Sequence, residues 1–340
     1  MQGLAIGVAG GNRETRAVVV AEGRVVALAM AHHGCNPHFR RPHEIAQTLA
    51  DVLGQVARLL SLRSVTDLGK RTANLVLSLP GIRRPEDEII GIEALSYLGW
   101  ASPAVAVVDE TQASLAAACL AEGISVIAGS GATVAVIRAP NTRVLKFDGL
   151  GPFLGDKGGA IRIAMTLLQQ VAYDDERGTV HRLWERIRRS VPELDQPADI
   201  RTWLDNLVLN STDWPYRLSP LADVVVEAAE QDPNATAADL LKEAAGQLTA
   251  TIGEALSASS DSTLRIVLDG RLIRASTVFR DTIISAVTKA NRDIVLPIYH
   301  RVVGTALLAS VTTEHGKICD SVPHSLRMNS SRGPGGLLNG

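Results

Sequence analysis

Cysteine, aromatic side chains and excess charge of either sign are all scarce in this chain. Its three cysteines, Cys35, Cys119 and Cys319, stand far apart in 340 residues, and no Cys-x-x-Cys pair occurs. That usage suits reduced thiols rather than a disulfide framework, and it offers no spacing for a thiolate zinc or iron–sulfur site within one chain. Aromatic residues make up 4% of the sequence, which leaves little material for base-stacking platforms. Lys and Arg total 34 against 36 Asp and Glu, so no basic field exists to condense onto nucleic acid or anionic lipid. No uninterrupted apolar run approaches the ~18 residues of a spanning helix. The chain runs from Met1 into Leu4–Val8 without a basic segment ahead of a cleavable stretch, so a cytoplasmic protein with neither nucleic-acid nor membrane partners is expected.

What the chain does contain is apolar and glycine-rich. Hydrophobic residues are 46% and charged residues 21%, and 29 glycines fall in short clusters. At roughly 150 residues per domain, the length suggests two domains with cores of their own.

The first hundred residues read β-β-β-α-β-α. Leu4–Val8, Ala17–Ala21 and Val25–Met30 are β-branched runs divided by Gly10-Gly11-Asn12 and Glu22-Gly23. Ile45, Leu49, Val52, Leu53, Val56 and Leu60 recur at helical spacing, which predicts an amphipathic helix between Pro42 and Leu60. Strand Asn74–Leu79, helix Glu86–Leu98, strand Val105–Val108 and the Ala-rich helix Thr111–Leu120 follow. The pattern then restarts with strands Ile124–Ala128, Thr133–Ile137 and Thr142–Phe147. Gly129-Ser130-Gly131 lies at the first turn and Ala139-Pro140-Asn141 at the second. Ile6–Gly11 overlays Val126–Gly131, so a strand–glycine turn–strand unit returns about 120 residues later, as a duplicated core would.

Beyond Gly158 five helical stretches, ending at Leu256, are expected to pack beside the second sheet. Leu264–Leu268 and Ile294–Pro297 read as its remaining strands, with helices Thr277–Ala290 and Val302–Val311. The expected organisation is a domain over 1–112, a second over 113–320 with a helical insertion at about 175–258, and a tail over 321–340 rich in Ser, Gly, Pro and Asn.

Three features could carry chemistry. Gly10-Gly11-Asn12 and Gly129-Ser130-Gly131 sit at strand ends, where glycine lets backbone approach a ligand and free N–H groups can cradle phosphate oxygens. Asp109 lies at the carboxyl end of a buried-type strand and just before a helix. It could accept a proton from a hydroxyl attacking a phosphoryl group, or it could serve as the helix N-cap, and local sequence leaves both open. The stretch Asp148–Gly159 is dense in glycine around Asp156 and reads as a substrate loop. The segment His32–His43, with Cys35, Arg40 and Arg41, fits no structural zinc pattern. It is expected to form a polar loop over a substrate mouth, its arginines meeting an anionic group or simply solvated.

These residues together resemble the BadF/BadG/BcrA/BcrD ATPase family, and within it the N-acetylglucosamine kinase-like branch of the sugar kinase/Hsp70/actin superfamily. The resemblance runs to about residue 312. It rests on the Gly10-Gly11 hairpin with Thr15, on Asn36, on Val108-Asp109, on Gly129-Ser130-Gly131, on Gly151–Gly158, on Leu268-Asp269-Gly270 and on Gly304–Ala309. It implies an α/β fold of two ribonuclease H-like (actin-like ATPase) domains flanking a cleft. It also implies ATP with Mg²⁺ as cofactors, phosphorylation of a sugar hydroxyl with N-acetylglucosamine or glucosamine favoured, and, by analogy, a homodimer. Position by position, it implies Asp109 as catalytic base, Gly10, Gly11, Asn12, Arg13 and Thr15 as the first phosphate loop, and Gly129, Ser130 and Gly131 as the second. Gly270 falls on the adenosine side, and Asn36, Asp109, Gly151 and Asp156 near the sugar.

The sequence also departs from that pattern. Ala9 stands where the family has an acid that helps to hold Mg²⁺, Arg13 where a threonine is common, Lys157 where a glutamate follows the loop aspartate, and Arg271 where a second glycine follows Gly270. Arg13 and Lys157 could neutralise phosphate charge in place of a metal. The sequence therefore points to no metal ligand. The alternatives are a nucleotide- or sugar-binding relative without turnover, and an activator-type ATPase whose bridging iron–sulfur cluster these cysteines do not match.

Overall fold

A computed structural model describes residues 3–100, 104–138, 144–211, 214–232, 236–259 and 261–312. The expected 321–340 tail, Cys319 and the 139–141 turn lie outside these residues. The first half comprises β1 (Leu4–Gly10), β2 (Thr15–Ala21), β3 (Arg24–Ala31), α1 (Pro42–Leu59), α2 (Val65–Arg71), β4 (Thr72–Leu79), α3 (Pro85–Ser96), β5 (Val105–Asp109) and α4 (Glu110–Ala117). Its sheet has the order β3-β2-β1-β4-β5, with β1, β4 and β5 parallel and β2 antiparallel to both neighbours.

The second half repeats this plan. β6 (Gly123–Ala128), β7 (Ala132–Ile137), β8 (Leu145–Asp148), β9 (Ile266–Asp269) and β10 (Ile294–Val295) form a sheet of order β10-β9-β6-β7-β8. Again the first strand of the half pairs antiparallel with its hairpin partner and parallel with the strand that returns. Between β8 and β9 run α5 (Ala160–Glu176), α6 (Trp184–Ser190), α7 (Ile200–Asn210), α8 (Trp214–Leu218), α9 (Leu221–Gln231) and α10 (Thr236–Ser259). Then come α11 (Arg271–Ala275), α12 (Thr277–Lys289) and α13 (Arg301–Ser310). The structure is thus α/β, two mixed five-stranded sheets with helices, as the duplicated pattern predicts.

Alternation along the strands explains the layers. On β1, Ile6 and Val8 pack with Ile45, Leu49, Val52 and Val56 of α1, while Ala5 and Ala9 face Val303, Ala306 and Leu307 of α13. On β7, Val134 and Val136 join the core under α5 and α10, while Ala135 and Ile137 meet Leu115 and Ala118 at α4. Each half therefore ends in a helix that covers the other half's sheet. The expected boundary assigns α13 to the second domain, yet its apolar face lies on the first sheet. Close approach demands this composition: a Cβ on Gly7 would lie 2.2 Å from the backbone nitrogen of Ala306. The exchange closes the base of the cleft with two small-residue helices packed on each other.

Candidate active site

The two glycine turns meet. Asn12, in the β1–β2 turn, donates from Nδ2 to Ser130 Oγ of the β6–β7 turn at 2.6 Å. Asn36 Nδ2 donates both to Asn12 Oδ1 at 2.7 Å and to the Tyr216 hydroxyl at 3.0 Å, and Asn36 Oδ1 accepts from the His38 amide at 2.9 Å. This polar chain, from Ser130 to Tyr216, crosses a cleft of about 1060 Å³ lined by both halves. Thr15 is buried beneath it, its hydroxyl donating to the His33 carbonyl at 2.8 Å, so it supports the first turn from below.

The second turn is fixed by the helix that follows the glycine–aspartate loop. The Ala160 and Ile161 amides, at the start of α5, donate to the carbonyls of Gly129 and Ser130 at 3.0 Å each. The helix thus spends two of its unpaired N–H groups on the turn. Asp148 takes the amides of Asp156 and Lys157 at 2.7 Å each, which shapes the loop. Within it, Asp156 Oδ1 accepts from the Gly151 amide at 3.2 Å. Burial, with the Asp148 carboxylate nearby, pushes the Asp156 carboxyl up to about 6.

Asp109 caps α4, accepting from the Thr111 amide at 3.0 Å and from the Thr111 hydroxyl. Its other oxygen makes a buried ion pair with Lys146 of β8, across the cleft, and Lys146 Nζ also donates to the Ile82 carbonyl at 2.9 Å. Lys146 lines the cleft and Asp109 stands behind it. The cap is therefore observed, and the lysine holds the carboxylate's other oxygen.

The neighbouring carboxylates are engaged in the same manner. Glu110 pairs with Arg301 at 2.5 Å, Asp269 with Arg274 at 2.6 Å, and Glu14 with Arg16 at 2.8 Å. Burial holds the Glu110 carboxyl above the usual range, whereas Arg301 and Arg274 outweigh burial at Asp269 and hold it below. His300, which caps α13, is pressed down to about 3 by burial and by Arg16 and Arg301, so it is neutral. Arg16 stands directly across the β1–β2 ladder from Ala9. The residues present leave Mg²⁺ a single carboxylate, Asp156. That ion is usually held by one or two carboxylates together with phosphates, whereas Glu14 and Glu110 in the cleft wall, and Asp109 and Asp269 beside it, already have a cation partner; of the carboxylates lining the cleft only Asp156 has none among the described residues. Among the described residues no group of three His, Cys, Asp or Glu could hold a metal ion.

Gly270 lines the cleft between β9 and α11. Its φ is +113°, and a Cβ there would lie 2.2 Å from the Ala128 carbonyl oxygen, so only glycine fits against the strand that leads into Gly129. Arg271 lines the cleft but is held by Asp223 of α9. Gly10, Gly11, Asn12, Arg13, Asn36, Gly129, Ser130, Gly131, Gly151, Asp156 and Gly270 all line the cleft; Lys157 is exposed and does not. Arg41 stands at the N-cap of α1, its backbone amide donating to Glu44 Oε2 at 2.8 Å, and it does not line the cleft.

Two residues escape the sequence reading. Lys146 lies on a short, partly exposed strand and becomes noteworthy only through its partner 37 positions away. Tyr216 comes from α8 in a stretch without clear periodicity, and it packs edge-on against Phe39 with ring centroids 4.8 Å apart. Trp214-Pro215-Tyr216, two aromatics about a proline in an aromatic-poor chain, is the signal that could have pointed to it.

Known structures share the architecture. A candidate N-acetylglucosamine kinase from Chromobacterium violaceum superposes with a TM-score of 0.68 at 20% identity, covering 90% of this chain and 98% of that one. A second candidate N-acetylglucosamine kinase, from Porphyromonas gingivalis, gives 0.63 at 15% identity over 89% and 97% of the two chains. A ROK family glucokinase from Streptomyces griseus, solved with glucose and AMPPNP, gives 0.56 at 14% identity over 89% and 98%. At these identities the likeness is one of fold. No curated protein matches the sequence at a significant level. The family model of the BadF/BadG/BcrA/BcrD ATPases matches residues 6–309, nearly the whole chain, and the protein belongs to that family.

Proposed function

We propose that this protein transfers the γ-phosphoryl group of ATP to a hydroxyl of a sugar, with an amino sugar such as N-acetylglucosamine or glucosamine as the acceptor class. The observation that carries the reading is the meeting of two equivalent glycine turns, one from each half, across a single cleft at the Asn12–Ser130 contact. Two such turns facing each other offer backbone N–H groups to one polyphosphate from both sides. Arg13 and Arg16 from the first half and Lys146 from the second supply positive charge to the same cleft, and no step is assigned to a metal.

In this reading Lys146 moves from Asp109 to the incoming anion. The uncovered carboxylate then takes the proton of the acceptor hydroxyl as that oxygen attacks phosphorus. Asn36 has both amide hydrogens engaged, so it offers an acceptor only its carbonyl oxygen, and it acts mainly by holding Asn12 and Tyr216 in place. Asp156, beside Gly131 and Gly151, is the better candidate for sugar hydroxyls. A homodimer and a cytoplasmic location remain part of the proposal by family analogy.

The test is Asp109→Asn. Asparagine is as good an N-cap as aspartate, so α4 survives. Because the change also strands Lys146, the double variant Asp109→Asn, Lys146→Met controls for a buried unpaired cation. Phosphoryl transfer should fall by roughly 10²–10⁴-fold while ligand binding persists. Transfer at the wild-type rate would remove Asp109 from the chemistry. The second reading, binding without turnover, draws on Ala9 and the covered Asp109; it is the correct one if wild type binds sugar and ATP but transfers nothing.

A further inference from the structure

We infer that the acceptor carries an anionic group, a carboxylate or phosphate, which docks in a side pocket of the cleft. The inference rests on the sugar reading above and narrows its substrate class. The pocket has a volume of about 400 Å³ and shares Asn12, Arg13, His32 and Tyr216 with the main cleft. Three separate segments build it: Arg13 from the β1–β2 turn, His32, His33 and Arg40 from the loop after β3, and Arg217 from α8.

Its wall holds three guanidinium groups and two imidazoles, and no carboxylate is among the lining residues. In a chain with 34 Lys and Arg against 36 Asp and Glu this is a local imbalance, because in the cleft next door Glu14 and Glu110 each face a cation. Arg40 reaches Glu44 at 3.6 Å, a contact outside the pocket lining. Among the described residues no acid pairs with Arg13 or Arg217. Guanidinium forks suit the planar, two-oxygen face of carboxylate and phosphate, and an imidazole donates through one nitrogen even when neutral. A neutral sugar makes no use of such a wall. The pocket begins beyond Asn12 and Tyr216, the residues that Asn36 ties together, so a sugar held at Asp156 and Asn36 has this pocket within reach of a substituent.

The experiment is calorimetry on the full chain. It compares glucosamine with glucosamine 6-phosphate, glucose with glucuronate, and inorganic phosphate alone, each at low and high salt. At least one anionic sugar should bind tenfold or more tightly than its neutral counterpart. Because Arg13 and Arg217 are exposed, that preference should shrink as salt rises. Arg217→Gln and His33→Gln should abolish it while leaving neutral-sugar and ATP affinity unchanged. Equal binding of charged and neutral sugars overturns the inference and leaves the kinase reading standing. Inorganic phosphate binding as tightly as the sugar phosphate overturns it in favour of a free anion. Loss of ATP affinity in Arg217→Gln overturns it in favour of the nucleotide. If no sugar binds, charged or neutral, the sugar reading itself fails and the inference with it.

Discussion

Replacing Asp156 by asparagine should make the protein more stable at alkaline pH and leave it unchanged at acid pH. The side chain is 8% exposed, and burial, with Asp148 beside it, lifts its carboxyl to about 6. The amides of Gly151 and Ala132 soften that penalty without cancelling it. An unfolded chain ionises the same group near 3.9, so between about pH 4 and 6 the folded state keeps a proton that the unfolded state has lost. Stability therefore falls as pH rises through this window, and above it the full cost of a buried charge remains. At 1.36 kcal/mol for each unit between the two values, that cost is about 3 kcal/mol as an upper figure. Asparagine keeps an acceptor for the Gly151 amide and carries no charge. Asp156→Asn should then gain about 1–3 kcal/mol at pH 8, a Tm rise of several degrees, and nothing below about pH 4. Thermal and urea unfolding of both proteins at pH 4, 6 and 8 measures it. A variant no more stable at pH 8, or equally more stable at all three, would refute the account. The expected price is paid at the site, since weaker sugar binding in the same variant would show what the strained carboxylate is kept for.

Three further outcomes follow from the packing of the cleft. ATP affinity by calorimetry should differ by less than about threefold between EDTA and millimolar Mg²⁺, because Lys146, Arg301, Arg274 and Arg16 hold the nearby carboxylates other than Asp156, which leaves the metal one protein ligand. A gain of more than tenfold with Mg²⁺ would mean that those pairs open for a metal. In Ala9→Asp the new carboxylate faces Arg16 across the ladder, so Mg²⁺ dependence should return only when Arg16 is also removed. Gly270→Ala should cost at least about 2 kcal/mol in urea unfolding, from its positive φ and from a Cβ 2.2 Å from the Ala128 oxygen, and an unchanged midpoint would contradict that geometry.

Much of this architecture is local and is therefore legible in sequence. The strands of each half announce themselves through β-branched runs, α1 through its apolar spacing, and the duplication through the overlay of Ile6–Gly11 on Val126–Gly131. Strand ends shift by one to three residues, and the short helices α2, α8 and α11 go unread because five to seven residues carry too little periodicity. Asp109 could be narrowed to cap or base and no further, since both roles ask for the same residue at the same place.

What only the tertiary structure decides is which of these segments meet. The pairing of Asp109 with Lys146 joins β5 of one half to β8 of the other, and Tyr216 reaches Asn36 across 180 positions. The charge state of the cleft follows from those meetings, because a carboxylate's partner depends on what the fold carries to within a few ångströms. The same holds for α13. Its small and apolar residues predict a buried helix, but that it lies against β1 rather than β6 depends on a groove that exists only once both sheets are formed, where Gly7 lets the helix backbone approach.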